Sequence, residues 1–230
     1  MNDVRLSERW KALTAHCAEI ARLFEVSVVA RRCIGTAARH DVHPLEWDFV
    51  AAAGARRQAD FLNGRVCAHA CLDELGAGND PVAVGDKGVP VWPAGIIGSI
   101  SHCDGFCAAV AVRKQRLRSI GIDIEERGRV GHDLEPLILR DSERRMLDAV
   151  SPTDRQDWPT LIFSAKEAFY KAQFPLTGEF LDFHDASVDV GHDSFSLKLE
   201  RPVAKLGETG ARFSGRYLFS DRHVLTGIIL

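Results

Sequence analysis

No apolar run in this 230-residue sequence approaches the roughly 18–20 residues that a helix needs to cross a bilayer. The first 17 residues, MNDVRLSERWKALTAHC, carry charges throughout, where a secretory leader would be apolar. The six cysteines contain no CxxC pair and lack the dense layout of a disulfide-stabilised secreted domain. These absences argue against the transmembrane and disulfide-rich classes, and we expect a cytoplasmic protein.

An excess of positive charge is missing too. The chain has 29 Lys and Arg against 32 Asp and Glu, a net charge of −3. Because a general nucleic-acid-binding domain is usually strongly basic, we expect no nucleic-acid partner. Cys67 and Cys71 have helical spacing but no nearby His or second pair to complete a zinc site. We interpret them, together with Cys103 and Cys107, as buried apolar residues.

What is present is a packed globular composition, 46% apolar and 27% charged, with a repeated order of helix and strands. Helical spacing predicts helices at 7–24, 46–75, 133–149 and 158–174, the last ending before Pro175. Strands are predicted at 26–30, 96–101, 106–112 and 118–125, and in four alternating segments of 186–230. The pattern predicts an α+β protein of two similar lobes, 1–115 and 116–230, joined near the charged segment RKQRLR (113–118).

The segment FSAKEAFYK (163–171) admits a structural and a chemical interpretation. Ser164 followed by Glu167 matches a capping box, and Glu167 with Lys171 forms an i, i+4 pair that stabilises a helix by about 0.2–0.5 kcal/mol. The same two side chains also place an acid and an ammonium group on one helix face. Taken alone, this segment favours the structural interpretation.

The segment SIGIDIEE (119–126) alternates in the manner of a strand. Its isoleucines point to one side, into a core, while Gly121, Asp123 and Glu125 point to the other. Two carboxylates about 7 Å apart repel unless water screens them or a cation lies between them. A hard divalent cation, Mg²⁺ before Mn²⁺, suits an oxygen-only pair, and it would imply a phosphorylated substrate.

Candidate phosphate-binding groups lie in the first half of the chain. Lys87 stands between glycines, and Ser101-His102 closes a strand beside a turn. Arg57 and Arg65 are spaced i, i+8 on a helix, so both guanidinium groups can reach one side. Each also has a purely structural interpretation. The two arginines would form a solvated helix face, Lys87 would be a charge in a turn, and His102 would be a hydrogen-bonded core histidine.

Together these segments resemble the successive signatures of the 4′-phosphopantetheinyl transferases of the surfactin/enterobactin-synthetase type. The resemblance is carried by GVPVWPAGIIGSISH (88–102), SIGIDIEE and FSAKEAFYK, in the family's order and spacing. The segment RRQADFLNGR (56–65) resembles the Arg-bearing helix of the siderophore-linked branch. The likeness spans about residues 56–175, and we assign no chemistry to 1–50 or 190–230.

The resemblance implies transfer of phosphopantetheine from coenzyme A to a serine of an apo carrier protein, acyl or peptidyl, releasing adenosine 3′,5′-bisphosphate. It implies two pseudo-twofold-related lobes with coenzyme A in the cleft between them. Mg²⁺ would be bound by Asp123, Glu125 and Glu167, with the backbone carbonyl of Ile124 or water completing the shell. The nucleotide would be held by Arg57, Arg65, Lys87, Ser101 and His102, and the pyrophosphate by Lys171.

In such a reaction Glu167 is our candidate base, taking the serine proton, and Lys171 stabilises the leaving group. Lys166 and Lys171 are expected to surround Glu167 with positive charge and to lower its basicity. The basic segment 113–118, with Arg127 and Arg129, is either a carrier-protein contact or a solvated turn. The chain length allows a monomer.

Two rival functions remain at this stage. A metal-dependent nuclease would show an E-x-K tripeptide on a strand and a basic surface, neither of which is seen. A non-catalytic subunit that binds coenzyme A or a carrier protein would keep Arg57, Lys87 and His102 while tolerating loss of Glu167. Glu167 is intact, which favours the enzyme.

Overall fold

The computed structural model describes the backbone of residues 2–230 and the side chains of 6–151 and 155–230. The chain forms two compact units, Met1–Arg116 and Leu117–Leu230. Each combines helices with antiparallel strands, so the α+β prediction is confirmed. Within the described residues, we find no helix with the length and apolarity that a bilayer span requires.

The first unit contains four helices and six strands among its described residues. The helices are α1 (Asn2–Leu13), α2 (Ala18–Ala21), α3 (Pro44–Val50) and α4 (Ala55–Glu74). The strands are β1 (Thr14–His16), β2 (Val29–Cys33), β3 (Ala83–Val84), β4 (Pro90–Val91), β5 (Ile96–Cys103) and β6 (Phe106–Arg113). Short 3₁₀ turns cover Arg39–Asp41 and Asp86–Gly88.

In this unit an antiparallel sheet of order β1-β2-β6-β5 packs against α4, and β3 pairs with β4 separately. Cys67, Cys71 and Leu72 of α4 meet Ala109 and Ala111 of β6 in one core. Trp10 of α1 packs on Leu62 and Val66, on another side of the same helix. The helix is therefore covered on two sides by its own unit.

The second unit is a helix laid on a five-stranded sheet. Its helices are α5 (Glu135–Ile138), α6 (Asp141–Leu147) and α7 (Pro152–Thr177), and a 3₁₀ turn covers Phe183–Asp185. Its strands are β7 (Ile120–Glu126), β8 (Ala186–Val190), β9 (Ser194–Leu199), β10 (Arg212–Phe219) and β11 (His223–Ile229). The antiparallel order is β7-β11-β10-β9-β8, with α7 packed chiefly on β7 and β11.

The predicted helix 7–24 is wrong in its middle. The helix stops at Leu13, and Thr14–His16 forms β1, paired with Arg31–Cys33 of β2. The apolar positions Trp10, Cys17 and Ile20 are buried as their spacing predicts. Pairing with a strand remote in sequence outweighs helical periodicity here, and β-branched Thr14 favours the extended form.

Three further helix boundaries differ from the predictions. The stretch 46–75 divides into α3 and α4, because Gly54 adopts an extended conformation and caps α4. The stretch 133–149 divides into α5 and α6. Helix α7 runs through Pro175, whose missing N–H removes only one bond, and ends where the Gly178 N–H donates to the Phe174 carbonyl at 2.8 Å.

Candidate active site

Strand β7 and helix α7 approach each other closely because small residues line the contact. A Cβ atom placed on Gly121 would lie 2.0 Å from the Ala168 carbonyl oxygen and 2.9 Å from the Ala172 nitrogen. Only glycine fits there. Since Asp123 and Glu125 follow Gly121 on the same face of β7, the acids face the helix that carries Glu167 and Lys171.

The orientation of α7 is held by polar groups on its buried side. The Ser164 hydroxyl lies 2.9 Å from the Thr226 hydroxyl of β11, and both residues are fully buried. Helix α7 begins at Pro152, so Ser164 lies twelve residues inside the helix and does not cap it. The predicted capping box is therefore wrong. The Ser164 hydroxyl ties helix to sheet instead.

Lys166 is the second anchor of α7. Its Nζ donates to Glu143 Oε2 at 2.8 Å and to the carbonyls of Ile138 and Phe183 at 2.9 Å each. The side chain is only 4% exposed. Lys166 thus serves the packing of α6 and α7 and points its charge away from the neighbouring acid, contrary to the expectation from sequence.

Asp123 and Lys171 form the central ion pair of the site. Lys171 Nζ lies 2.7 Å from Asp123 Oδ1, and the Asp123 side chain is 4% exposed while that of Lys171 is 27% exposed. Lys171 thus bonds to the strand, and its charge also acts on Glu167, its i, i+4 neighbour on the helix. The lysine therefore neutralises the most buried acid of the cluster.

Glu125 and Glu167 both have pKa values raised above the ordinary range. Burial raises the pKa of Glu125 to about 7, with the charge of Asp123 adding to it and Lys171 opposing it. Burial followed by the charge of Asp123 also raises the pKa of Glu167, and Lys171 opposes this. The expectation that flanking lysines lower the basicity of Glu167 is wrong, because Lys166 is turned away and burial outweighs Lys171.

These acids form an oxygen-only donor set with more negative charge than one ammonium can neutralise, which fits a hard divalent cation. In the part of the chain that the structure describes, no three His, Cys, Asp or Glu side chains are close enough together to hold a metal as they stand. Binding of an ion by Asp123 together with Glu125 and Glu167 therefore requires movement of these side chains.

A cavity of about 140 Å³ opens beside Glu167. Its walls are largely aromatic and aliphatic, with Lys166 and Asp182 as further polar members. Phe180 stands at its edge, 72% exposed, and meets Tyr170 edge-on with ring centroids 5.6 Å apart. The apolar walls are Phe169, Tyr170, Phe180, Leu181, Phe183 and Ala186. The acid thus stands at the side of a small apolar chamber.

The five nucleotide candidates all lie in the first unit. Arg65 is 4% exposed, with its guanidinium carbon 4.5 Å from the centroid of the Phe61 ring and its Nε 3.8 Å from Glu46 Oε1. Among the described residues that Nε has no hydrogen-bond partner. Glu46 is already occupied by His69 Nε2 at 2.9 Å and by the Val82 amide at 2.8 Å.

The other four candidates are distributed over three elements. Arg57 is exposed in the first turn of α4, and its charge acts on Arg65. Lys87 is exposed in the 3₁₀ turn with a φ of 56°, in the left-handed region. Ser101 and His102 are consecutive on β5, so their side chains point to opposite faces, Ser101 buried and His102 exposed, its Nδ1 4.0 Å from Asp60 Oδ2 on α4.

Sequence reasoning missed the cavity and the anchors of α7. Tyr170 lies three residues after Glu167 and therefore shares its helix face, which is a detectable signal. The aromatic run Phe180, Leu181 and Phe183 follows the helix closely in sequence. By contrast, the partner of Lys166, Glu143, lies 23 residues away and no local pattern identifies it.

Comparison with known proteins gives two family matches and several relatives. Residues 45–112 match the 4′-phosphopantetheinyl transferase N-terminal domain, and residues 119–217 match the 4′-phosphopantetheinyl transferase superfamily. The chain is 37% identical over 200 residues to 4′-phosphopantetheinyl transferase Npt of Nocardia iowensis, covering 81% of this chain and 88% of that protein.

Two other relatives have comparable identity. 4′-Phosphopantetheinyl transferase PptT of Mycobacterium tuberculosis is 37% identical over 206 residues, covering 81% of this chain and 85% of that protein. Enterobactin synthase component D of Salmonella typhi is 40% identical over 139 residues, covering 56% of each chain. The two transferases named as such match about four fifths of this chain, and the enterobactin synthase component matches just over half.

Proposed function

Because the chain belongs to the 4′-phosphopantetheinyl transferase superfamily, we propose that it uses the acid–lysine face of β7 and α7 to transfer phosphopantetheine. The donor is coenzyme A and the acceptor a serine hydroxyl of an apo acyl or peptidyl carrier protein. The reaction depends on Mg²⁺ and releases adenosine 3′,5′-bisphosphate. The proposal rests on one observation: the charges of Asp123, Glu125, Glu167 and Lys171 act on one another, and Glu167 also lines a small apolar cavity.

Asp123, Glu125 and Glu167 are the residues that would hold Mg²⁺. When bound, the ion neutralises the diphosphate of coenzyme A and the charge that grows on its leaving oxygen. The burial of Asp123 favours an ion at this point, since a desolvated carboxylate needs a cationic partner. Mn²⁺, which also accepts carboxylate oxygens, is the natural substitute.

Glu167 acts as the base. A serine hydroxyl attacks phosphorus only weakly unless its proton is removed as the new bond forms. The raised pKa of Glu167 makes it a better proton acceptor than an ordinary carboxylate, provided that it is ionised at the working pH. The serine oxygen then bonds to the β-phosphorus, its proton passes to Glu167, and the bond to the bridging oxygen breaks.

Lys171 stabilises the departing adenosine 3′,5′-bisphosphate. Its ammonium lies in the same cluster as Glu167, and its side chain is partly exposed and so within reach of a bound diphosphate. A cation at the leaving oxygen stabilises the charge that develops in the transition state. Before coenzyme A binds, the ion pair with Asp123 keeps the Lys171 ammonium beside the acids.

The cavity beside Glu167 is suited to the pantetheine arm, whose chain is largely uncharged. Aromatic walls would cover its methyl groups and methylenes, while Asp182 and Lys166 line the same cavity. Arg57, Arg65, Lys87, Ser101 and His102 are assigned to the adenine nucleotide. Arg65 is the best supported of these, since its buried Nε offers a donor for a phosphate oxygen.

The carrier protein would contact basic residues on the surface of the chain. Exposed basic residues at 113–116 fit an acidic partner. Arg127 is less suited, since it is engaged by Asp157 at 2.5 Å and lies 5.3 Å from the centroid of the Phe219 ring. Arg129 is exposed, and its charge acts on Glu125, which places it beside the acids. A cytoplasmic location and a monomeric state stay predictions.

The test is the mass of apo acyl and apo peptidyl carrier proteins after incubation with the chain, coenzyme A and Mg²⁺. We expect each accepted carrier to gain one phosphopantetheine group, and the gain to disappear when EDTA removes the metal. A carrier whose acceptor serine is replaced by alanine is the matched control. Unchanged masses across both carrier types would favour a non-catalytic binding subunit instead.

A further inference from the structure

The segment 178–185 connects α7 to β8 and forms one wall of the cavity beside Glu167. Phe180, which is 72% exposed, has little packing of its own to hold it, and its ring meets that of Tyr170 edge-on. Leu181, the next residue, is buried in the core of the unit. The position of the Phe180 ring therefore depends largely on how the backbone of this segment is held.

Arg201 holds that backbone from the loop that follows β9. Its Nη2 donates to the Phe180 carbonyl at 3.1 Å, and its Nη1 donates to Glu179 Oε2 at 3.2 Å. Its Nε lies 3.0 Å from Asp185 Oδ2, at the other end of the segment. The planar guanidinium thus spans three acceptors along one segment, a geometry that the single ammonium of a lysine does not reproduce.

Glu179 fastens the same segment to two further parts of the unit. Its Oε1 accepts a hydrogen bond from the Ala204 amide at 3.0 Å, and its carbonyl accepts one from Gln173 Nε2 of α7 at 3.0 Å. The side chains of Arg201 and Glu179 are 36% and 34% exposed, and ion pairs in such contact with solvent contribute little to global stability. Loss of Arg201 is therefore expected to loosen this wall without unfolding the unit.

We propose that Arg201 is a positioning residue for coenzyme A: it fixes the backbone at Phe180, and Phe180 covers the pantetheine arm in the cavity. This inference rests on the proposed function, which assigns that cavity to the arm. The residues that line the cavity lie between positions 166 and 186, so Arg201 acts on the arm through the wall and not by contact. Arg201 therefore governs the affinity for coenzyme A and leaves the chemical step unchanged.

The experiment measures by calorimetry how the full chain and Arg201→Met bind coenzyme A and adenosine 3′,5′-bisphosphate, which lacks the arm. We expect the variant to bind coenzyme A about 10-fold more weakly, the effect of losing one charge-assisted hydrogen bond, and to bind the bisphosphate as before. In the transfer assay, KM for coenzyme A should rise by the same factor while kcat stays within about twofold. Arg212→Met is the matched control, since Arg212 pairs with Asp189 at 3.0 Å elsewhere in the same unit.

A double-mutant cycle tests whether Arg201 acts through Phe180. Phe180→Ala should itself weaken the binding of coenzyme A, and adding Arg201→Met should then weaken it little further. Arg201→Lys keeps the charge but not the planar fork, so it should lose a smaller part of the affinity for coenzyme A. It replaces Arg201→Met in the cycle if that variant fails to fold.

Three results would overturn the role of Arg201: equal weakening for both ligands, an unchanged affinity for coenzyme A, or additive effects of the two substitutions. An unsubstituted chain that modifies no carrier protein would overturn the proposed function instead. The binding measurements still decide the role of Arg201 in that case, because they do not depend on turnover.

Discussion

At the scale of single residues, the environment of Glu167 makes this carboxylate a stronger proton acceptor than an ordinary glutamate, as the proposed role of base requires. Burial and the charge of Asp123 raise its pKa, and Lys171 only partly opposes them. Lys166, its neighbour in sequence, forms an ion pair with Glu143 instead. Adjacent residues on a helix point in different directions, so proximity in sequence misleads about the electrostatics.

Replacing Glu167 by Gln should lower the rate of transfer by about 10²–10⁴-fold, the usual contribution of a general base. The amide keeps the size of the side chain but cannot accept the serine proton. Turnover is measured by carrier mass and coenzyme A binding by calorimetry, and binding should persist. Glu126→Gln is the matched control, since Glu126 lies on the same strand but pairs with Arg222 at 3.2 Å. Normal turnover in Glu167→Gln would remove it from the mechanism.

Replacing Lys171 by Met should separate metal affinity from turnover. The Lys171 ammonium lies 2.7 Å from Asp123 Oδ1, so it competes with a cation for that oxygen. Without it, half-maximal activity should need several-fold less Mg²⁺, while the maximal rate falls by about 10²-fold because the leaving group loses its charge partner. The readout is a magnesium titration of initial rates. If Lys171→Met needs less Mg²⁺ for half-maximal activity but keeps its maximal rate, the leaving-group role is contradicted.

At the scale of elements, the site depends on how closely α7 lies on β7. Gly121, Ala168 and Ala172 permit that approach, and the Ser164–Thr226 contact sets the rotation of the helix. The acids and the lysine then face one another without any insertion or special loop. The arrangement of these candidate residues thus follows from the packing of a helix on a sheet.

Replacing Gly121 by Ala should destabilise the chain by about 1–3 kcal/mol or more, the range of overpacked cores, because the new methyl group collides with the helix backbone. Denaturant unfolding measures the change, and activity should fall in the fraction that remains folded. Gly54→Ala is the control, since a Cβ there meets nothing within 4 Å. We expect it to cost about 1 kcal/mol or less, through the helix cap alone. Equal effects of both substitutions would refute the close approach.

The Glu46–His69 contact predicts how stability depends on pH. Burial alone would raise the pKa of Glu46, but the hydrogen bonds from His69 and the backbone amides outweigh it and hold that pKa below its ordinary value of 4.5. Stability from this group is therefore complete above pH 4.5 and is lost as the pH falls through the lower folded-state value.

Unfolding free energies of the unsubstituted chain and of Glu46→Gln, measured from pH 7 down to pH 3, test this prediction. The difference between them should shrink below about pH 4.5, when the acid itself becomes protonated. Glu8→Gln, at an exposed position, serves as the control and should show no such convergence. A constant difference across the whole range would show that the charge of Glu46 does not contribute.

Strands with a regular alternation of apolar and polar residues are predicted well from the sequence. Elements whose form depends on pairing with residues remote in sequence are predicted less well. Isoleucines at 120, 122 and 124 are fully buried, and the glycine and acids between them face the other way, as the period of two requires. The strand at Thr14–His16 and the continuation of α7 through Pro175 were mispredicted. Both depend on contacts or end effects that a local window does not contain.

At the scale of the whole molecule, two units each place one long helix on an antiparallel sheet, α4 in the first and α7 in the second. The family signatures divide between them in the same way. The nucleotide candidates belong to the first unit and the acids with Lys171 to the second. Sequence motifs suggested both groups as candidates, and their roles stay predictions; burial, ion pairing and the cavity beside Glu167 needed coordinates.

One measurement bears on the chemistry most directly: an anomalous difference map from crystals of the chain grown with coenzyme A and Mn²⁺. We predict a single strong peak at coordination distance from Asp123 and from Glu125 or Glu167, touching the diphosphate, with the Lys171 ammonium moved away from Asp123. A manganese ion bound away from these carboxylates, or a diphosphate that does not reach them, would contradict the account.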